Sequence, residues 1–118
     1  MTRVLCAAIA AFTFSLPTIA SAANYAPLNC AKAASAAEQT ICRNYALGQA
    51  EARMATLYGI AMSLVAMGQR GDIGDAQKQW LKAREACGAD VGCLTRAYSD
   101  RIGQLNKVID AIASGGPY

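Results

Sequence analysis

No histidine occurs anywhere in the 118 residues. That absence removes the usual general base for a serine or cysteine nucleophile, and one of the two common zinc ligands. Charged side chains make up only 16% of the chain and are scattered singly. There is therefore no basic run for nucleic acid or an acidic membrane surface, and no obvious carboxylate pair for glycosidase chemistry. Aromatic residues are equally sparse, with a single tryptophan, Trp80. No segment alternates apolar and polar residues with a period of two, so no strand is signalled. No internal repeat is visible. The chain reads as a non-enzyme without cofactor or metal.

What is present begins with Arg3 and an apolar run from Val4 to Ile19, broken near its end by Pro17. Ala20-Ser21-Ala22 supplies small residues where a signal peptidase reads. The pattern predicts a secretory signal peptide over residues 1–22, with cleavage after Ala22. A membrane anchor is the competing reading, but the run is short and no stop-transfer charges follow it. The mature form is thus expected in the periplasm or secreted, without a membrane span. Cys6 leaves with the leader. The remaining 96 residues carry ten basic and eight acidic groups, a net charge of +2.

Four cysteines stay in the mature chain: Cys30, Cys42, Cys87 and Cys93. An even count in a small exported domain reads as two disulfides. Zinc fits poorly, since neither pair has C-x-x-C spacing. Of the three connectivities, the local one is favoured, Cys30–Cys42 and Cys87–Cys93, because each pair straddles a single turn. Gly88 and Gly92 let the chain reverse between the second pair. A crossed pairing would close longer loops and gain more in the chain-entropy model.

Helical signals fill the rest. Ser35-Ala36-Ala37-Glu38 has the spacing of a capping box and predicts a short helix from about Ala36 to Cys42. Asn44 suits a turn and the N-cap of the next helix. Leu47, Ala50, Met54, Leu57 with Tyr58, Ala61, then Leu64 with Val65 form one stripe of helical period, on what should be the longest helix. Gly48 and Gly59 lie inside it, where a closely packed neighbour would justify them. Met54, Met62 and Met67 read as core filler rather than a soft binding surface. Gly68 to Asp75, with three glycines and two aspartates, reads as a loop. Its Arg70-Gly71-Asp72 matches an adhesion tripeptide, a coincidence given no weight. The third helix should start near Asp72 or Asp75 and turn Ile73, Ala76, Trp80, Ala83, Arg84 and Cys87 one way, ending at Gly88. Asp90 then caps a fourth, with Leu94, Tyr98, Ile102, Leu105, Ile109 and Ile112 on its stripe. The expected fold is all-α: a small antiparallel bundle of three main helices and one short N-terminal helix, stapled by two disulfides. It should occupy residues 23–113, with 114–118 as a flexible tail.

These residues form a recognisable set. Cys30, Glu38, Ile41-Cys42, Asn44, Leu47, Glu51 and Tyr58 come first. Gln77-x-x-Trp80-Leu81-x-x-Arg84-x-x-Cys87 follows, and Cys93-Leu94-x-x-x-Tyr98-x-x-Arg101-Ile102-x-x-Leu105 completes the set. The pattern resembles the LprI-type lysozyme inhibitor family of exported bacterial proteins over about Cys30 to Leu105. The resemblance implies a small helical envelope domain with a protein partner, lysozyme, and inhibition by non-covalent occlusion. The alternative is a structural or stress-protective periplasmic protein without that target. Two positions depart from the family: Glu51 stands where Asp is usual, and Ala50 where a larger apolar residue is usual. Neither the oligomeric state nor a contact surface follows from the pattern.

Single residues carry narrower expectations. Trp80 belongs to the core rather than to a binding hot spot. Arg84 and Arg101 lie on or beside apolar faces and need a partner, for which Glu51 is the candidate. Tyr58 and Tyr98 should pack with their hydroxyls at the surface or bonded. A third reading, a small-molecule binder, would need a cavity lined by Met54, Leu57 and Trp80. For an inhibitor, Arg70 in the glycine-rich segment could meet the paired carboxyl groups of a glycosidase cleft, with Asp72 and Asp75 on its basic rim.

Overall fold

The computed structural model describes residues 27–115. The expectations for the leader, its cleavage point and the last three residues lie outside that range. A 3-10 turn, Cys30–Lys32, capped by the Asn29 side chain, precedes the first helix. Four helices follow: α1 (Ala36–Arg43), α2 (Tyr45–Leu64), α3 (Met67–Ala86) and α4 (Val91–Ser114). The longest is α4, with 24 residues against 20 in α2.

Local chemistry explains most boundaries. The Ser35 hydroxyl accepts from the Glu38 N–H, and the Glu38 carboxylate accepts in return from the N–H groups of Ala34 and Ser35. Those backbone donors hold the Glu38 carboxyl below its ordinary pKa. Asn44 serves two helices at once. It closes α1 through its own N–H, and its side chain accepts from Leu47 to open α2. Gly88 takes φ +55° just past the end of α3, the left-handed conformation that a side chain disfavours. Asp90 then caps α4 by accepting from the Cys93 N–H.

Consecutive long helices run antiparallel, so α2 and α4 run parallel and share the most extensive contact. Leu47 and Ala50 of α2 line one groove with Thr95 and Tyr98 of α4, and Val65 lines another with Val108 and Ile112. α3 lies antiparallel to both, and α1 packs across α2 and α3. The core consists of Ala37, Ile41, Leu47, Met54, Ala61, Val65, Ile73, Trp80, Leu94, Tyr98 and Leu105. The disulfides are Cys30–Cys42 and Cys87–Cys93, with α-carbons 5.6 and 5.5 Å apart. The first ties the 3-10 turn to α1, and the second clips the α3–α4 turn.

Besides α2 not being the longest helix, three expectations need correction. The segment from Gly68 to Asp75 is not a loop: α3 begins at Met67, and only Val65 and Ala66 separate it from α2. Ile73 and Val65 are both buried here, and Arg70 Nε donates to the Val65 carbonyl at 3.1 Å. This tertiary anchoring outweighs the roughly 1 kcal/mol that each glycine costs a helix. Met67 is not core filler, being 81% exposed, while Met54 is buried and Met62 half-buried. Close packing does not account for Gly59, since a Cβ there meets nothing within 4 Å.

Two glycine substitutions should therefore move stability in opposite directions. Gly59→Ala should raise it by about 1 kcal/mol through helix propensity alone. Gly88→Ala should lower it by about 1 kcal/mol, because alanine is strained at positive φ. Urea unfolding followed by circular dichroism measures both.

Candidate functional site

The residues singled out from sequence fall into two places. One is a polar cluster at the centre of the bundle. Glu51 of α2 is 6% exposed, Arg84 of α3 5% and Arg101 of α4 3%. The Tyr98 hydroxyl donates to Glu51 Oε2 at 2.6 Å, and the Arg84 guanidinium reaches the same oxygen at 3.5 Å. The expected Glu51–Arg84 ion pair is thus present, but the tighter partners are others. Arg84 also donates to Glu85 Oε1 at 2.7 and 3.2 Å, and its guanidinium lies 5.6 Å from the Trp80 ring centre. Trp80 stacks edge-to-face on Tyr98 and donates its indole N–H to the Ala97 carbonyl at 2.8 Å.

Arg101 sits apart from the carboxylates. Its three nitrogens donate to Gln77 Oε1, Gln104 Oε1 and the Ile73 carbonyl. Gln77 in turn donates to Met54 Sδ at 3.3 Å, so one side chain of α3 touches both α2 and α4. Tyr58 packs against the core, its hydroxyl beside Gly74. Among the described residues, no buried side-chain nitrogen or oxygen lacks a partner.

Electrostatics follow from this enclosure. Burial, then the hydrogen bond to Glu51, push the Tyr98 phenol well above its ordinary value. Burial disfavours the charge of Arg84, but Glu85, Tyr98 and Glu51 more than offset it, and its pKa is raised. Burial lowers that of Arg101, whose acceptors are all uncharged. The cluster holds no solvent-facing nucleophile and no open acid–base pair. Its chemistry is that of a structural lock.

The second place is the corner between α2 and α3. Leu64 is 50% exposed, Met67 81% and Ile60 40%. Arg70 is exposed beside Met67, with Nη1 4.0 Å from the Met67 sulfur. Leu64 and Arg70 line one groove, and Lys107 of α4 lines its neighbour. The expected contact residues Arg70, Asp72 and Asp75 all lie on the first turns of α3. Asp75 is engaged by Lys78 at 3.0 Å on the surface. Asp72 lies two residues after Arg70, roughly 200° around the helix. Leu64 was missed because the stripe pattern assigned it to the core, and Met67 because it was read with Met54 and Met62 as core filler. Met54 and Trp80 are packed core residues with Leu57 against them, as a solid interior requires.

Among the described residues, no group of three or more potential ligands is placed to hold a metal, and no helix is long and apolar enough to cross a membrane. The molecule is a disulfide-stapled, all-helical bundle with a buried Glu–Tyr–Arg lock. Comparison with family models makes the class specific: the chain belongs to the lysozyme inhibitor LprI family, whose model matches residues 30–109. No curated protein and no solved structure matches it.

The lock should respond to mutation and to pH. Arg84→Met leaves a buried carboxylate with only a hydroxyl partner and should cost about 3–5 kcal/mol. The double variant Glu51→Leu with Arg84→Met should cost less than the sum of the singles, measured by a double-mutant cycle of chemical denaturation. Because Tyr98 has its pKa raised in the fold, its contribution is complete below the unfolded phenol value of about 10. It is lost as pH rises beyond that, since only the unfolded state then releases the proton. Melting curves from pH 9 to 11 should fall more steeply for the wild type than for Tyr98→Phe.

Proposed function

We propose that the protein is an exported inhibitor of lysozyme that acts by non-covalent occlusion of the enzyme. The match to the lysozyme inhibitor family over residues 30–109 carries this reading. Export rests on the leader pattern of residues 1–22, which would release Ala23 as the mature N-terminus and deliver residues 23–113 as the working domain, followed by the tail 114–118. The periplasm or the exterior is where lysozyme attacks the cell wall, and the two disulfides suit an oxidising compartment. The partner is a protein, and no catalytic role is proposed for the inhibitor. Among the described residues the buried acid–base constellation is the lock, which is committed to its own partners, and Lys78–Asp75 is a surface ion pair.

One observation favours the alternative of a structural or stress-protective envelope protein. Glu51, Trp80, Arg84, Tyr98 and Arg101, five residues of the pattern that carries the resemblance, turn inward. These five therefore describe how the domain folds, and the same fold could serve without a lysozyme target.

A cell-wall lysis assay separates the two. Oxidised mature protein, added at about tenfold molar excess and at a concentration well above about 1 μM so that a micromolar complex is saturated, should slow lysis by an animal or a phage-type lysozyme. Full-rate lysis by both enzymes would favour the structural alternative. Mass spectrometry of the exported protein should find Ala23 at its N-terminus.

A further inference from the structure

We infer that the α2–α3 corner is the surface that meets lysozyme, with Met67 and Leu64 entering the substrate cleft while Arg70 and Lys107 face its carboxyl groups. The inference rests on the inhibitor reading above and supplies the contact surface that reading lacks.

Three observations converge there. First, Met67 is the most exposed of the large apolar side chains, and Leu64 stands beside it on the same corner. Met67 opens α3 directly after the two-residue connection Val65–Ala66, at an end of both helices, where it is free to enter a partner's cleft. Second, the corner is cationic. Arg70 uses Nε to hold the Val65 carbonyl, which fixes the guanidinium and leaves its terminal nitrogens outward, with only the Met67 sulfur at 4.0 Å. Lys107 is exposed on the adjoining groove, and neither groove is lined by an acidic residue. Third, the occupant follows from charge complementarity. A glycosidase cleft presents two carboxyl groups flanked by apolar and aromatic sugar-binding surface. A pre-positioned guanidinium answers the carboxyl groups with charge-assisted hydrogen bonds, and exposed Met and Leu answer the apolar walls.

The remaining exposed apolar residues do not compete. Tyr45 is 62% exposed but opens α2 at the end of the bundle away from this corner, and Leu81 and Val91 are only 36% and 44% exposed, Val91 at that same far end beside the Cys87–Cys93 clip. Asp72 and Asp75 fall outside the contact, because one lies around the helix from Arg70 and the other is paired with Lys78.

The test compares four purified proteins against an animal lysozyme in the lysis assay: wild type, Met67→Asp, Lys107→Glu and Val91→Asp. All three substitutions are at exposed positions, and each variant is first checked for an unchanged melting curve. Met67→Asp should weaken inhibition by roughly tenfold or more, as loss of an anchor does, and Lys107→Glu should weaken it by a smaller factor. Val91→Asp should inhibit like the wild type. Binding measured by calorimetry should also be reduced when the lysozyme cleft is filled with chitotriose. If wild type inhibits and Met67→Asp inhibits equally well, the corner is wrong and the function stands. Binding undiminished by chitotriose overturns cleft entry. If the wild type itself does not inhibit, the functional reading and the corner fall together.

Discussion

A single oxygen atom organises the bundle. Glu51 Oε2 accepts from the Tyr98 hydroxyl and faces the Arg84 guanidinium, so one buried charge on α2 fixes the register of both α3 and α4. An unpaired carboxylate in that position would be costly, and each partner must arrive at the right height along its helix to satisfy it. Trp80 and Gln77 extend the same constraint. The indole N–H reaches the α4 backbone at Ala97, and the Gln77 amide joins Arg101 to Met54. Apolar burial alone would tolerate a slip of one turn between helices; this set of directed bonds would not.

The arrangement also accommodates the two positions at which the resemblance drawn from the sequence implies that another residue is usual. Glu51 is one methylene longer than the usual Asp, yet it retains the charge that Tyr98 and Arg84 require. Ala50, where a larger apolar residue is usual, lies half-buried on a shallow groove between α2 and α4. The missing volume therefore opens to the surface and creates no sealed void in the core.

Legibility from sequence tracked the range of the forces involved. The capping box at Ser35, the double duty of Asn44, the stop at Gly88 and the cap at Asp90 depend on residues within four positions, and all were readable. Pairing of the cysteines was readable because each pair spans one turn. The start of α3 was not, because Gly68, Gly71 and Gly74 argue locally for a loop, and helicity there depends on Ile73 entering a core built by other helices. The third member of the polar lock escaped for a related reason. The sequence nominated an acid and two arginines, but nothing in it said that a tyrosine hydroxyl 47 positions from Glu51 would take the shortest bond. The exposure of Met67 was hardest to read, since in sequence it looks like the neighbouring core methionine Met54.

Both covalent staples lie toward one end of the molecule, around the α1–α2 junction and the α3–α4 turn. Neither closes a ring that includes Val65 and Ala66. The molecule is therefore a linear thread at its far end, however heavily cross-linked it looks at the other. A protease that cut between α2 and α3 would leave two pieces, each with its own intact disulfide and no covalent bond between them. Only non-covalent contacts, the shared apolar core and the bonds among Glu51, Arg84 and Tyr98, would then keep the halves together, and in denaturant they would part without any reducing agent.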